Sequence, residues 1–152
     1  MGARMEPQII ALGGAGFSME PRNPLMLDET LRQAWQNGTL LCGISAGAIC
    51  WFEHGISDSV AESELRPLTC MGLLSGTACP HYNESGRREA YHRYLKSGDV
   101  TDGFGIDNGV GLHFVGSKLV RTVASSADVH GYRVSMRHGV ATEAALTPTL
   151  LQ

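Results

Sequence analysis

In the run Thr39-Leu40-Leu41-Cys42-Gly43-Ile44-Ser45-Ala46-Gly47-Ala48-Ile49-Cys50-Trp51-Phe52, a short apolar segment of strand character enters Gly43-Ile44-Ser45-Ala46-Gly47. A helix-compatible apolar segment leaves it. Strand, sharp turn and helix in that order form the setting of a nucleophile elbow, in which a strained serine exposes its hydroxyl. Glycines on both sides of Ser45 let strand and helix pass without a Cβ clash. The amide of Ala46, at the helix start, is then the expected oxyanion donor. The plainer reading is a tight glycine turn in which Ser45 is an N-cap.

Upstream, Ile9-Ile10-Ala11-Leu12 reads as a buried strand running into Gly13-Gly14-Ala15-Gly16. That glycine run is either an anion-binding loop or a plain turn, and no Gly-Lys-Ser/Thr follows it. Asn23-Pro24 is turn-like. Leu27, Leu31, Ala34 and Trp35 recur at helical spacing, and Asn37-Gly38 ends that helix. Thr39 to Ile44 is the next strand, and Ala46 to Glu53 the next helix. The alternation predicts a parallel α/β sheet.

Downstream, Leu73 to Tyr82 carries an apolar segment to Cys79-Pro80-His81, and Arg87 to Lys96 reads as a helix. Phe104 to Val115 is strand-like around Asp107-Asn108-Gly109. Gly116-Ser117 signals a hairpin into Lys118 to Ala124. Tyr132-Arg133-Val134 adds a strand, and the tail from Arg137 is expected to fray.

With 152 residues, the chain is read as a single domain, 1–152, able to bury roughly 70% of its unfolded surface. Hydrophobic content of 43% and charged content of 18% are ordinary for a globular protein. A net charge of −3 argues against nucleic acid as a partner. No apolar run reaches the length of a membrane span, and Met1 to Gln8 lacks the apolar core of a signal peptide. Cys42, Cys50, Cys70 and Cys79 contain no Cys-x-x-Cys pair and are expected to be buried free thiols in a reducing, cytoplasmic setting. No metal or cofactor is expected.

A serine hydroxyl needs a base, and the base an orienting acceptor. Of six histidines, His81 stands where a strand delivers a loop to the carboxyl edge of an α/β sheet. His54 is expected at the far end of the elbow helix, His92 on the polar side of a helix and His113 in a strand. His130 and His138 lie near the chain end. For the acid, Asp58, Glu62, Glu64, Asp107 and Asp128 stay open, and Asp107 also reads as part of an ordinary Asp-Asn-Gly turn.

Gly43-Ile44-Ser45-Ala46-Gly47-Ala48, Ser57-Asp58-Ser59, Cys79-Pro80-His81-Tyr82, Arg87-Arg88, Tyr91-His92 and Gly109, with Gly13-Gly14-Ala15-Gly16-Phe17-Ser18-Met19-Glu20 and Asn23-Pro24-Leu25, together resemble the peptidase E / cyanophycinase family of serine peptidases. The resemblance implies a three-layer, mostly parallel sheet with helices on both faces, similar to class I glutamine amidotransferases, to which the Gly116-Ser117 signal adds a C-terminal β-hairpin. It implies cleavage of small peptides next to aspartate. Ser45 is then the nucleophile, His81 the base and Ala46 an oxyanion donor. Arg88 holds the place of an arginine that pairs with a substrate carboxylate. The implied partner is a small acidic peptide, with room for a homodimer.

Two departures qualify the match. Asn108 stands where the family has its triad acid, and an acid-to-amide change in such a triad lowers kcat by about four orders of magnitude. Asp107 and Asp58 are the substitutes. Strand–helix units expected between Leu25 and the helix before the elbow are missing, with a glycine loop near the nucleophile. Such a loss leaves sheet edges open, and Gly14 is the replacement oxyanion donor. Two other readings follow: a catalytically weak or inactive binding module, and an α/β-hydrolase-type esterase using Ser45, Asp107 and His130 in chain order.

Overall fold

The computed structural model describes residues 9–12, 24–58 and 64–151. Strand β1 (Ile9–Leu12) pairs in parallel with β2 (Leu40–Gly43), and α1 (Pro24–Gln36) lies between them in the chain. The elbow follows, then α2 (Ala46–Ile49) and β3 (Phe52–Ser57). Strands β4 (Arg66–Thr69) and β5 (Leu74–Pro80), helix α3 (Arg87–Ser97) and β6 (Gly103–Ile106) come next. The chain continues through β7 (Val110–Val115), β8 (Lys118–Ala124), β9 (Gly131–Arg137), β10 (Val140–Leu146) and β11 (Thr149–Leu150).

The largest sheet has six strands in the order β10-β9-β6-β5-β3-β4. Its centre, β3-β5-β6, is parallel, and β5-α3-β6 is the crossover that parallel pairing requires. The flanking pairs β3-β4, β6-β9 and β9-β10 are antiparallel. The sheet is therefore mixed, where the sequence led us to expect mostly parallel pairing. Short returns are the reason: β10 comes back on β9 through a two-residue turn, which joins only antiparallel neighbours.

Ala78 and Cys79 are adjacent on β5, fully buried, and point to opposite faces. On the Cys79 face, Ile56 and Val134 pack with Ala90, Tyr91 and Leu95 of α3. On the Ala78 face, Phe52 and Phe104 pack with Leu31 of α1 and Ile49 of α2. Phe52, Phe104 and Phe114 meet edge-on, with centroids 5.7–6.0 Å apart, the arrangement aromatic quadrupoles favour. The β7-β8 hairpin turns at Gly116-Ser117 as the sequence signals, with Gly116 at φ 58°.

Three local expectations are corrected. The helix after the elbow stops at Ile49 rather than Glu53, because Trp51 and Phe52 enter strand pairing: the Trp51 carbonyl accepts from the Leu74 amide at 2.7 Å. His54 consequently lies in β3. The tail does not fray at Arg137. His138 and Gly139, both at positive φ, form a tight turn, and β10 pairs with β9 from Val140 to Leu146. All four thiols are free, but only Cys50 and Cys79 are buried. Cys70 is half-buried, and Cys42 is exposed on β2.

Candidate active site

Strand β2 delivers the chain to Ser45 at φ 54° and ψ −121°. A non-glycine residue there is strained by about 1–3 kcal/mol, and surrounding structure must hold it. The Ile44 amide donates to the Leu12 carbonyl at 3.1 Å, and the Ser45 carbonyl accepts from the Ala48 amide at 2.9 Å. A methyl group on Gly43 would overlap the Gly47 carbonyl, and one on Gly47 would overlap the Leu12 carbonyl. The two glycines flanking Ser45 are therefore required by close packing. The N-cap reading of Ser45 fails, because its side chain caps nothing. Its Oγ lies 2.8 Å from His81 Nε2 instead.

His81 follows Pro80 at the end of β5 and is itself at φ 56°. The turn is pinned by the Glu84 amide donating to the His81 carbonyl at 2.8 Å, and by the Tyr82 amide donating to the Ile106 carbonyl at 3.0 Å. His81 Nδ1 donates to Asn108 Oδ1 at 2.5 Å. That bond places the proton on Nδ1 and leaves Nε2 to accept from Ser45. Asn108 is oriented in turn: its Nδ2 donates to Glu84 Oε1 at 2.9 Å, and its backbone amide donates to Asn83 Oδ1 at 3.0 Å. Glu84 Oε1 is also 3.6 Å from His81 Nδ1. A carboxylate thus stands one step behind the amide. The sequence reading missed Glu84, whose only signal is its spacing of three residues from His81 across a turn.

The other candidates go elsewhere. Asp107 is buried, and its Oδ2 accepts from the His130 backbone amide at 2.9 Å, so it does not orient His81. That contact is to the His130 main chain and Ser45 meets His81, which removes the esterase arrangement of Ser45, Asp107 and His130. Asp58 accepts from Arg87 at 2.9 Å. Arg88 pairs with Glu143 at 3.3 Å, with its guanidinium over the Tyr82 and Tyr132 rings. Among the described residues, the lining of the cleft at Ser45 does not include it. Ala46 begins α2, where its amide has no preceding turn to bond. Gly14 and Glu62 lie outside the described residues.

Behind His81, the Tyr82 hydroxyl donates to Glu143 Oε1 at 2.6 Å, and His92 Nε2 lies 2.8 Å from the same oxygen. Burial, then the Glu143 carboxylate, push the Tyr82 phenol far above its ordinary range, so it stays a protonated donor. A cleft of about 840 Å³ opens at Ser45 and His81, bordered by residues 38–45 and 106–116. No helix among the described residues is long and apolar enough to cross a membrane.

A strained serine on an elbow lies within hydrogen-bond reach of an oriented imidazole on an α/β scaffold. The model of peptidase family S51 matches residues 9–122, and the chain belongs to that family, as its motifs led us to expect. It is 42% identical over 139 residues to YgaJ, an uncharacterized peptidase of Bacillus subtilis strain 168. That match covers 87% of this chain and 58% of the relative, so the chain spans less than two thirds of the relative's length.

Proposed function

We propose that the chain is a serine-type peptidase working through an acyl-enzyme. The supporting observation is the 2.8 Å approach of Ser45 Oγ to His81 Nε2 at a strained elbow. Ser45 Oγ attacks the scissile carbonyl while its proton passes to His81 Nε2. The imidazolium returns that proton to the departing amine as the C–N bond breaks. Water, deprotonated by the same nitrogen, then hydrolyses the ester and restores Ser45. The Ala46 amide is the proposed oxyanion donor. Asn108 fixes the tautomer, and Glu84 supplies negative charge near the imidazolium. The same reading takes the fold as a reduced relative of the class I glutamine amidotransferase type, supported by parallel β3-β5-β6 with helices against both faces.

The aspartate preference that family resemblance implies would need a cation at the cleft, and Arg88 is committed to Glu143. A second reading, a binding module without turnover, draws on the neutral amide of Asn108 at His81. A fluorophosphonate probe separates the two. Labelling of wild type but not of Ser45→Ala, with labelling at least a hundredfold slower in His81→Ala, is the expected result. A folded wild type that takes no label would overturn the peptidase reading.

A further inference from the structure

We propose that Arg87 is a positioning residue for the nucleophilic pair: it holds Glu84 behind Asn108 and so fixes the line of contacts that ends at His81 and Ser45. The inference rests on the serine-peptidase reading and deepens it. Three observations carry it.

First, the sheet brings the parts to one edge. Strands β3, β5 and β6 are parallel neighbours, with Gly55 opposite Ala78 and Pro80 opposite Ile106. Asp58 and His81 each follow their member of the first pair by three residues, and Asn108 follows Ile106 by two. All three therefore reach the carboxyl edge of the parallel strands, where sites on α/β sheets assemble. Second, the contacts form one line. Arg87 Nη2 donates to Asp58 Oδ2 at 2.9 Å, and Arg87 Nε lies 4.0 Å from Glu84 Oε2. The other Glu84 oxygen, Oε1, accepts from Asn108 Nδ2 at 2.9 Å, and Asn108 Oδ1 accepts from His81 Nδ1. One oxygen of Glu84 thus faces the cation while the other orients the amide. The Arg87 amide also donates to the Glu84 carbonyl at 3.4 Å, so backbone and guanidinium hold the same turn.

Third, an arginine is costly where this one stands. Arg87 is 8% exposed and opens α3, where the helix macrodipole disfavours a cation. Gly86 before it supplies no side-chain cap. A buried ion pair is weak support for stability, since a well-packed apolar residue often does as well. The charge at this position is accounted for by what it holds, two carboxylates, one of which orients Asn108. Both carboxylates are exposed, so the buried guanidinium is the fixed point between them. A planar guanidinium presents donors in two directions at once, which the single point charge of a lysine does not.

Fluorophosphonate labelling of the full chain, followed against probe concentration, gives a saturating rate and a half-saturating concentration. Arg87→Lys keeps the charge and removes the fork. It is expected to lower the saturating rate about fivefold, with the half-saturating concentration within about twofold of wild type and circular dichroism unchanged. A residue acting through Glu84 cannot cost more than Glu84→Gln itself. In the Glu84→Gln background, Arg87→Lys should therefore cost less than about twofold. Asp58→Asn, at an exposed carboxylate, removes the anchor on the other side of Arg87. It is expected to lower the saturating rate in the same way, again only while Glu84 is present, and it carries the test should Arg87→Lys not fold. Losses that multiply undiminished across Glu84→Gln overturn the proposal and leave Arg87 a pin between β3 and α3. Wild-type labelling rates in both single variants overturn it as well. In both cases the nucleophile stands, because wild type takes the label. A folded wild type that takes no label overturns the peptidase reading and this inference with it.

Discussion

Asn108 stands where the resemblance implies a carboxylate beside His81, and Glu84 stands directly behind it. The amide alone would fix the tautomer of His81 but leave the imidazolium without a counter-charge. Glu84 orients that amide at 2.9 Å and stands 3.6 Å from His81 Nδ1. Glu84→Gln should lower kcat about tenfold, the effect of one lost charge-assisted contact, with Tm unchanged because the side chain is exposed. Asn108→Asp alone would set two carboxylates together. The double variant Asn108→Asp/Glu84→Gln should therefore exceed wild-type kcat by about tenfold or more. Steady-state hydrolysis of one peptide across the four forms checks both. The meeting of Ser45 with His81 was legible because each stands in a contiguous motif at the end of a strand. Glu84 was not, since its part is set by a turn that meets Asn108 only in the folded chain. Asp107 forms the ordinary Asp-Asn-Gly turn that the sequence also offered, while the His130 amide that binds its carboxylate arrives from a distant segment just before β9 and left no local signal. The thiols give a further check. Burial pushes Cys50 up to about 11 and Cys70 and Cys79 up to about 12. At pH 8 these stay protonated and unreactive. Brief iodoacetamide treatment of the native protein should leave one adduct, on exposed Cys42, by mass spectrometry.

At the scale of elements, the elbow is a three-body contact among β1, β2 and α2. Gly47 passes against the Leu12 carbonyl, and Gly43 against the Gly47 carbonyl. Gly47→Ala must push α2 off β1, at a cost of about 1–3 kcal/mol or more. Urea titration should show that loss, and fluorophosphonate labelling should fall with it, because Ser45 rides on the same junction. The strand–turn–helix order and the Gly116-Ser117 hairpin were readable from local pattern. The length of α2 was not: Ala46 to Glu53 suits a helix by composition, but the Leu74 amide takes the Trp51 carbonyl into strand pairing. The hairpin at His138-Gly139 was unreadable because histidine carries little turn signal of its own, and β9 supplies the ladder that stabilises β10.

Across the whole molecule, the last long strand reaches back to the site. Glu143 on β10 accepts from Tyr82, lies against His92 and pairs with Arg88 on α3. Replacing it by glutamine leaves Arg88 without its counter-charge, and stability should fall by about 2 kcal/mol by urea denaturation. The mixed character of the large sheet has the same origin, since β9 and β10 add to its edge by antiparallel return rather than by crossover. Tyr82 is the immediate neighbour of His81, so the grip of Glu143 on its hydroxyl steadies the backbone that carries the imidazole. A protease nicking the chain at the β9–β10 turn would accordingly silence turnover early, while the far-ultraviolet spectrum still looked native.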